Sequence, residues 1–142
     1  MKIIVAQFYT SNVKYGKYSE KINREYCKNK GYEYVVEKND SKIYSLLQDR
    51  APTWYKPHLI QEIFDKSNPD WVLFLDADAI ISDDTQKIED YIDSKYELIV
   101  SDDVGHHSDY NAGVILIKNS KWSREFIKTW WTSSNSFTGI DA

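Results

Sequence analysis

The sequence is short of the features that staple, span or repeat. Cys27 is the one cysteine among 142 residues, so no internal disulfide is available and a reducing compartment is expected. It falls within a helical pattern, where packing rather than catalysis is the expected role of a thiol. No stretch approaches the roughly 20 apolar residues of a membrane span, and the apolar run at Met1–Ala6 is too short for a signal peptide. The expectation is a soluble, cytoplasmic protein without a membrane span. Neither sign of charge dominates. Eighteen basic residues face 22 acidic ones, a net charge of −4, which argues against nucleic acid or an anionic membrane as the main partner. Internal repeats, low-complexity tracts and linkers are absent too, so the length fits one domain.

What is present is an ordinary globular composition, 42% hydrophobic and 28% charged, able to bury a core without cross-links. Aromatic residues, at 15%, build cores, and their flat faces also stack on sugars and bases.

The hydrophobic pattern gives the order of elements. Lys2–Phe8 reads as a buried strand. Residues 9–12 form a loop, and Tyr18, Ile22 and Tyr26 give an apolar stripe to a helix over Lys17–Lys30, closed by Gly31. Tyr32–Glu37 is a second strand, completing a parallel βαβ unit. A short helix is expected within 39–53. Pro57 suits a helix's first turn, and Leu59, Ile60, Ile63 and Phe64 give that helix its apolar face. Ser67-Asn68-Pro69-Asp70 breaks the chain. Trp71–Leu75 is apolar throughout, as in a central parallel strand covered on both faces. Ser82–Thr85 reads as a helix start with Ile88, Tyr91 and Ile92 as its stripe. Glu97–Ser101 is a strand, 102–110 a polar loop, and Asn111-Ala112-Gly113 leads into a strand at Val114–Ile117. Ser120 caps a last helix whose apolar face is Trp122, Phe126, Ile127, Trp130 and Trp131.

The strongest chemical signal is the buried strand that ends in Asp76-Ala77-Asp78. Open α/β sheets hold ligands at the ends of their strands. Two carboxylates two residues apart, where extended geometry breaks down, can converge on one hard cation such as Mg²⁺ or Mn²⁺, and such an ion neutralises a departing diphosphate. The plain alternative is that the pair only caps the next turn. A specific rival is the haloacid-dehalogenase phosphatase motif, in which the first aspartate is a nucleophile. Against it, two strands precede the motif, and Ile80 stands where Thr or Val is expected. Asp102 and Asp103 also follow a strand, and either can position an acceptor hydroxyl or take its proton, or simply be solvated. His106 and His107 lie in the same polar loop, with metal, phosphate or acceptor binding weighed against solvation. His58 reads as structural. Trp54 and Tyr55 are candidate sugar platforms, whereas Trp122, Trp130 and Trp131 read as core.

Taken in order, Trp54-x-Lys56, Trp71–Ala79 with its Asp-x-Asp, Asn111-Ala112-Gly113, Lys118-Asn119-Ser120-x-Trp122-Ser123 and Trp130-Trp131 resemble glycosyltransferase family thirty-four. They also resemble the compact glycosyltransferase domain encoded by large algal viruses, the chloroviruses. The resemblance covers about Trp54–Ala142. It implies an α/β GT-A fold, a Rossmann-like three-layer arrangement with a mostly parallel central sheet flanked by helices. It also implies a metal-dependent hexosyl transfer from a UDP-sugar, with Mn²⁺ or Mg²⁺, to a glycan or glycoprotein acceptor. A virus-encoded member would act in the host cytoplasm. A non-catalytic nucleotide-sugar-binding module is the other alternative. Carried over by position, Asp76 and Asp78 hold metal and ribose. Gln7, Tyr9 and Thr10 lie where the base is held, Lys56 near the phosphates, and Asn111 and Gly113 along the sugar pocket. Asp141 falls near the reacting sugar. Family members continue past that turn to a histidine that completes the metal shell. Residues 1–142 are therefore expected to form one GT-A domain that either lacks its C-terminal portion or takes water, His106 or His107 as the remaining ligand.

Overall fold

The structure is a computed structural model and describes residues 1–105 and 109–133. In chain order it runs β1 (Ile3–Phe8), α1 (Gly16–Lys30), β2 (Glu33–Glu37), α2 (Asp40–Leu47), a 3-10 turn (Pro52–Trp54), α3 (Tyr55–Ser67) and β3 (Trp71–Leu75). A second 3-10 turn (Ile88–Tyr91), β4 (Leu98–Asp102), β5 (Tyr110–Lys118) and α4 (Lys121–Ser133) follow.

The strands form one sheet in the order β2-β1-β3-β5-β4. β1 pairs in parallel with both β2 and β3, while β5 runs antiparallel to both β3 and β4. β4 therefore points the same way as β3, and β5 alone opposes, so the sheet is mostly parallel as expected. β3 lies at the centre with every residue buried, which explains its unbroken apolar run.

Strand alternation divides the core in two. Ile4, Ala6, Phe8, Val72, Phe74, Ile115 and Ile117 face α2, α3 and α4. Ile3, Val5, Trp71, Leu73, Leu75 and Leu116 face the other way, against Tyr26 and Cys27 of α1 and Ile88. The result is a three-layer α/β fold. Helix ends follow their sequence signals. Gly31 closes α1 at φ 79°, Asn68 closes α3 at φ 44°, and the Ser120 hydroxyl accepts the Ser123 N–H at 3.1 Å. Among the described residues, no helix is long and apolar enough to cross a membrane.

Five local expectations need correction. The stripe on α1 does not face the core: Tyr18 and Ile22 are exposed, and the buried positions are Gly16, Ser19, Asn23, Tyr26 and Cys27. The helix packs on polar groups at the end of the sheet, so its inward face is partly polar. The segment from Ser82 does not start a helix. Asp83 accepts both the N–H and the hydroxyl of Thr85, a local turn that competes with helix, and only the turn at Ile88–Tyr91 forms. Asn111–Gly113 lies inside β5. Trp54 and Tyr55 are buried, Tyr55 with its ring edge against Phe8, and neither is a sugar platform. The last helix is mixed: Ile127 is core, but Trp122 is about half exposed and stacks on Phe126.

Candidate active site

β3 ends at Leu75, and the Asp76 N–H donates to Gly113 O at 2.8 Å, one step beyond the ladder. The Ala79 N–H then donates to Asp76 O at 2.9 Å, closing a turn over 76–79. This turn breaks the strand and presents two carboxylates. Asp76 is half-buried and Asp78 exposed. Both line one cleft of about 190 Å³, with Phe8, Tyr9 and Thr10 at the end of β1, Thr53 in the first 3-10 turn and Lys56 at the start of α3. The cleft sits at the carboxyl ends of two adjacent parallel strands, where such sheets hold ligands. A hollow of about 790 Å³ between α3 and α4 is larger, but it lacks this acidic pair. Chemistry, not size, selects the cleft.

Lys56 is buried, with its ammonium 2.8 Å from Asp76 Oδ1. It also donates to Ala112 O at 3.0 Å and lies 5.6 Å from the Phe74 ring centre. A desolvated ammonium needs a counter-charge and hydrogen-bond acceptors, and both are supplied here. Lys56 is thus a fixed positive charge beneath the acidic turn.

Gly113 allows the approach on the other side. A Cβ there would stand 3.2 Å from Asp76 Oδ2 and 2.9 Å from Asn111 Oδ1. Asn111 Oδ1 accepts the Gly113 N–H at 2.7 Å, and Asn111 Nδ2 reaches Asp103 Oδ1 at 3.5 Å. Asp76, Lys56, Asn111, Gly113 and Asp103, separate in sequence, therefore form one connected group.

The far wall is set by Tyr9. Its ring lies where a side chain on residue 16 would collide, 2.5 Å from an added Cβ, so Gly16 is required by close approach. The Tyr9 hydroxyl donates to Glu20. Burial, and then the Glu20 carboxylate, pushes the Tyr9 pKa up to about 12. Burial alone would raise Glu20, but hydrogen bonds from Tyr9, Arg24 and Lys38 outweigh it and hold that carboxyl below its ordinary value. Thr10 is buried with its hydroxyl on Asn12.

Gln7 is the expected ligand residue that the structure moves elsewhere. It is buried beneath the acidic turn with both ends of its amide bonded to protein. It supports the site from below. Sequence reading also missed Thr53, whose hydroxyl oxygen is buried without a hydrogen-bond partner among the described residues and whose side chain lines the cleft. Its one signal was its position three residues before Lys56 in a polar stretch. Cys27 is buried, and burial pushes its thiol up to about 12, an inert packing residue. His58 sits 3.4 Å from Glu62, away from the cleft. Asp141, His106 and His107 lie outside the described residues.

The donor set fits a hard divalent ion that keeps most of its shell for others. Mg²⁺ and Mn²⁺ take one or two carboxylates and fill the rest with water and substrate phosphate. Asp76 and Asp78 provide such a pair. Among the described residues no cluster of three or more His, Cys, Asp or Glu side chains forms a fuller cage.

Residues 23–138 match the family described as "Protein of unknown function, DUF273". The chain belongs to that family. A curated relative is the "Probable alpha-1,6-mannosyltransferase MNN10" of Saccharomyces cerevisiae, 25% identical over 136 residues. That match covers 76% of this chain but 34% of the yeast protein. This family member therefore spans about a third of its curated relative's length. Among solved structures, it superposes on a glycosyltransferase involved in glycosylation of the major capsid of PBCV-1. The TM-score is 0.74 at 19% identity, covering 95% of this chain and 67% of that one. The apo glycosyltransferase GlyE of Streptococcus pneumoniae TIGR4 matches with a TM-score of 0.64 at 18% identity, covering 100% of this chain and 41% of that one. The fold is GT-A, as the sequence resemblance implied.

Proposed function

We propose that this chain carries the donor-binding site of a glycosyltransferase that moves a hexosyl group from a UDP-sugar to a glycan hydroxyl with the help of a divalent metal. The observation that carries the reading is the turn at the end of β3: two cleft-lining carboxylates, one of them paired at 2.8 Å with a buried lysine. Relatives and fold support the transferase class, and the name of the yeast relative includes a mannosyl group. The GT-A fold removes the support for a phosphatase with Asp76 as nucleophile.

In this reading Asp76 and Asp78 would hold Mn²⁺ or Mg²⁺, and the ion would supply positive charge for a departing diphosphate. Lys56 adds a fixed positive charge from beneath, in a place where solvent screening is weak. Tyr9, Thr10 and Thr53 form the wall against which the nucleotide lies. Asn111 and Gly113 border the sugar, and Asp103, linked to Asn111, is placed to orient the acceptor hydroxyl or take its proton as the new bond forms. Asp141 is assigned to the reacting sugar by resemblance alone.

A thermal-shift screen of UDP, GDP and CMP, each with and without Mn²⁺, tests this directly. UDP should raise the melting temperature far more with Mn²⁺ than without it, and the Asp78→Asn variant should lose that difference. No shift with any nucleotide would reject the reading. A shift with UDP-sugar but no transfer or hydrolysis would favour a non-catalytic binding module.

A further inference from the structure

The polar inward face of α1 has a consequence for the acidic turn. Beyond its bond to Gly113, the segment 76–81 leaves the sheet, and its backbone groups need other partners. Side chains supply them. Gln7 Nε2 donates to Asp76 O at 2.9 Å and to Ala79 O at 3.3 Å. Asn23 Nδ2 donates to the same Ala79 O at 2.9 Å, and Asn23 Oδ1 accepts the Ile81 N–H at 2.8 Å. The Ser19 hydroxyl donates to Ala77 O. Behind them, Gln7 Oε1 accepts from Asn23 at 3.0 Å and from the Tyr34 hydroxyl. Asn23 is 0% exposed and Gln7 1%, so these groups have no water to fall back on. Carbonyls 76, 77 and 79 are thus tied to β1 and α1, and the two carboxylates ride on a turn with little freedom.

An apolar side chain at these positions would leave buried backbone groups of the turn without partners, so the network also supports stability. Being satisfied throughout, it fixes one geometry for the turn as well. We propose that Asn23 and Gln7, assisted by Ser19 and Tyr34, are positioning residues that set the turn so that Asp76 and Asp78 can hold a cation against a diphosphate. The proposal rests on the metal-dependent reading above. None of the four acts on the ligand; they act through the turn. Removing groups that orient metal ligands from behind typically weakens metal binding by about 10–100-fold.

The test compares the wild-type chain with Asn23→Leu, Ser19→Ala and Tyr34→Phe. Calorimetry measures the affinity for UDP, or for GDP if the wild type prefers it, once with Mn²⁺ and once in EDTA. Circular dichroism and thermal melting confirm the folded state. Asn23→Leu should weaken binding about tenfold with Mn²⁺ and leave the EDTA value unchanged. Ser19→Ala and Tyr34→Phe, which each remove one hydroxyl, should give smaller losses of the same metal-specific kind and keep the test open if Asn23→Leu does not fold. Folded variants that keep wild-type affinity with Mn²⁺, or lose affinity equally with and without it, would overturn the positioning role. Wild-type affinity in Asp78→Asn marks a different failure, that of the metal reading on which the proposal stands.

Discussion

α1 and α3 flank the same sheet, yet they bury different chemistry. α3 follows the amphipathic pattern: Leu59, Ile60, Ile63 and Phe64 are all buried in the main core. α1 exposes Tyr18 and Ile22 and buries Ser19 and Asn23. The apolar face of α3 holds the sheet's flank, while the polar face of α1 holds the turn that carries Asp76 and Asp78. The difference teaches that a helix can look miswritten when read for a core and be well written for a site. It also separates stability from binding, so variants on the two helices should fail in different ways.

The largest expected effect is on the α3 side. Phe64→Ala empties a packed site and should cost about 3–5 kcal/mol, read as a lower denaturant midpoint, while the protein that remains folded keeps its nucleotide affinity. Loss of affinity in that folded fraction would blur the contrast. Next comes Gly113→Ala, on the strand facing the acidic turn. Its new methyl crowds the ends of the Asp76 and Asn111 side chains, so melting should change little while Mn²⁺-dependent nucleotide binding weakens about tenfold.

A smaller effect concerns pH. Burial lowers the His58 pKa below its ordinary value of 6.5, against the opposing attraction of Glu62. The unfolded chain therefore takes up a proton at a higher pH than the folded one. Between the two values the unfolded state binds more protons, so stability falls as pH drops through 6.5 and levels off below the folded value. Melting curves between pH 7.5 and 5 should show this slope (roughly the range around histidine's normal titration), and His58→Gln should flatten it. The smallest effect belongs to the outer face of α1. Ile22→Lys should change stability by no more than about 0.5 kcal/mol. A larger loss by chemical denaturation would show that the apolar stripe was the buried one after all.

These contrasts mark what was legible. β1, β3 and the apolar face of α3 could be read because apolar runs and periodicity report burial directly. The place of Asp76 and Asp78, at the end of a buried strand and on one cleft, could be read because the apolar run stops at Leu75. Lys56 reached the same cleft by resemblance, and its burial supplies the physical reason. Gln7 was misplaced because a strand residue beside a site and one beneath it look alike without the third dimension. Asn23 and Ser19 were missed because polar residues in a helix ordinarily mark its solvated side. Only the crossing of α1 over the end of the sheet turns them inward. Trp54 and Tyr55 were misjudged because their polar neighbours in sequence are not their neighbours in space: both side chains join the main core.

The most direct measurement is anomalous diffraction at the manganese edge from crystals soaked with Mn²⁺ and a nucleoside diphosphate. The account predicts a single strong peak between the Asp76 and Asp78 carboxylates, above Lys56, bridged to the phosphates. Nucleotide bound with no peak at that turn, or the two carboxylates directed apart around an empty space, would contradict it.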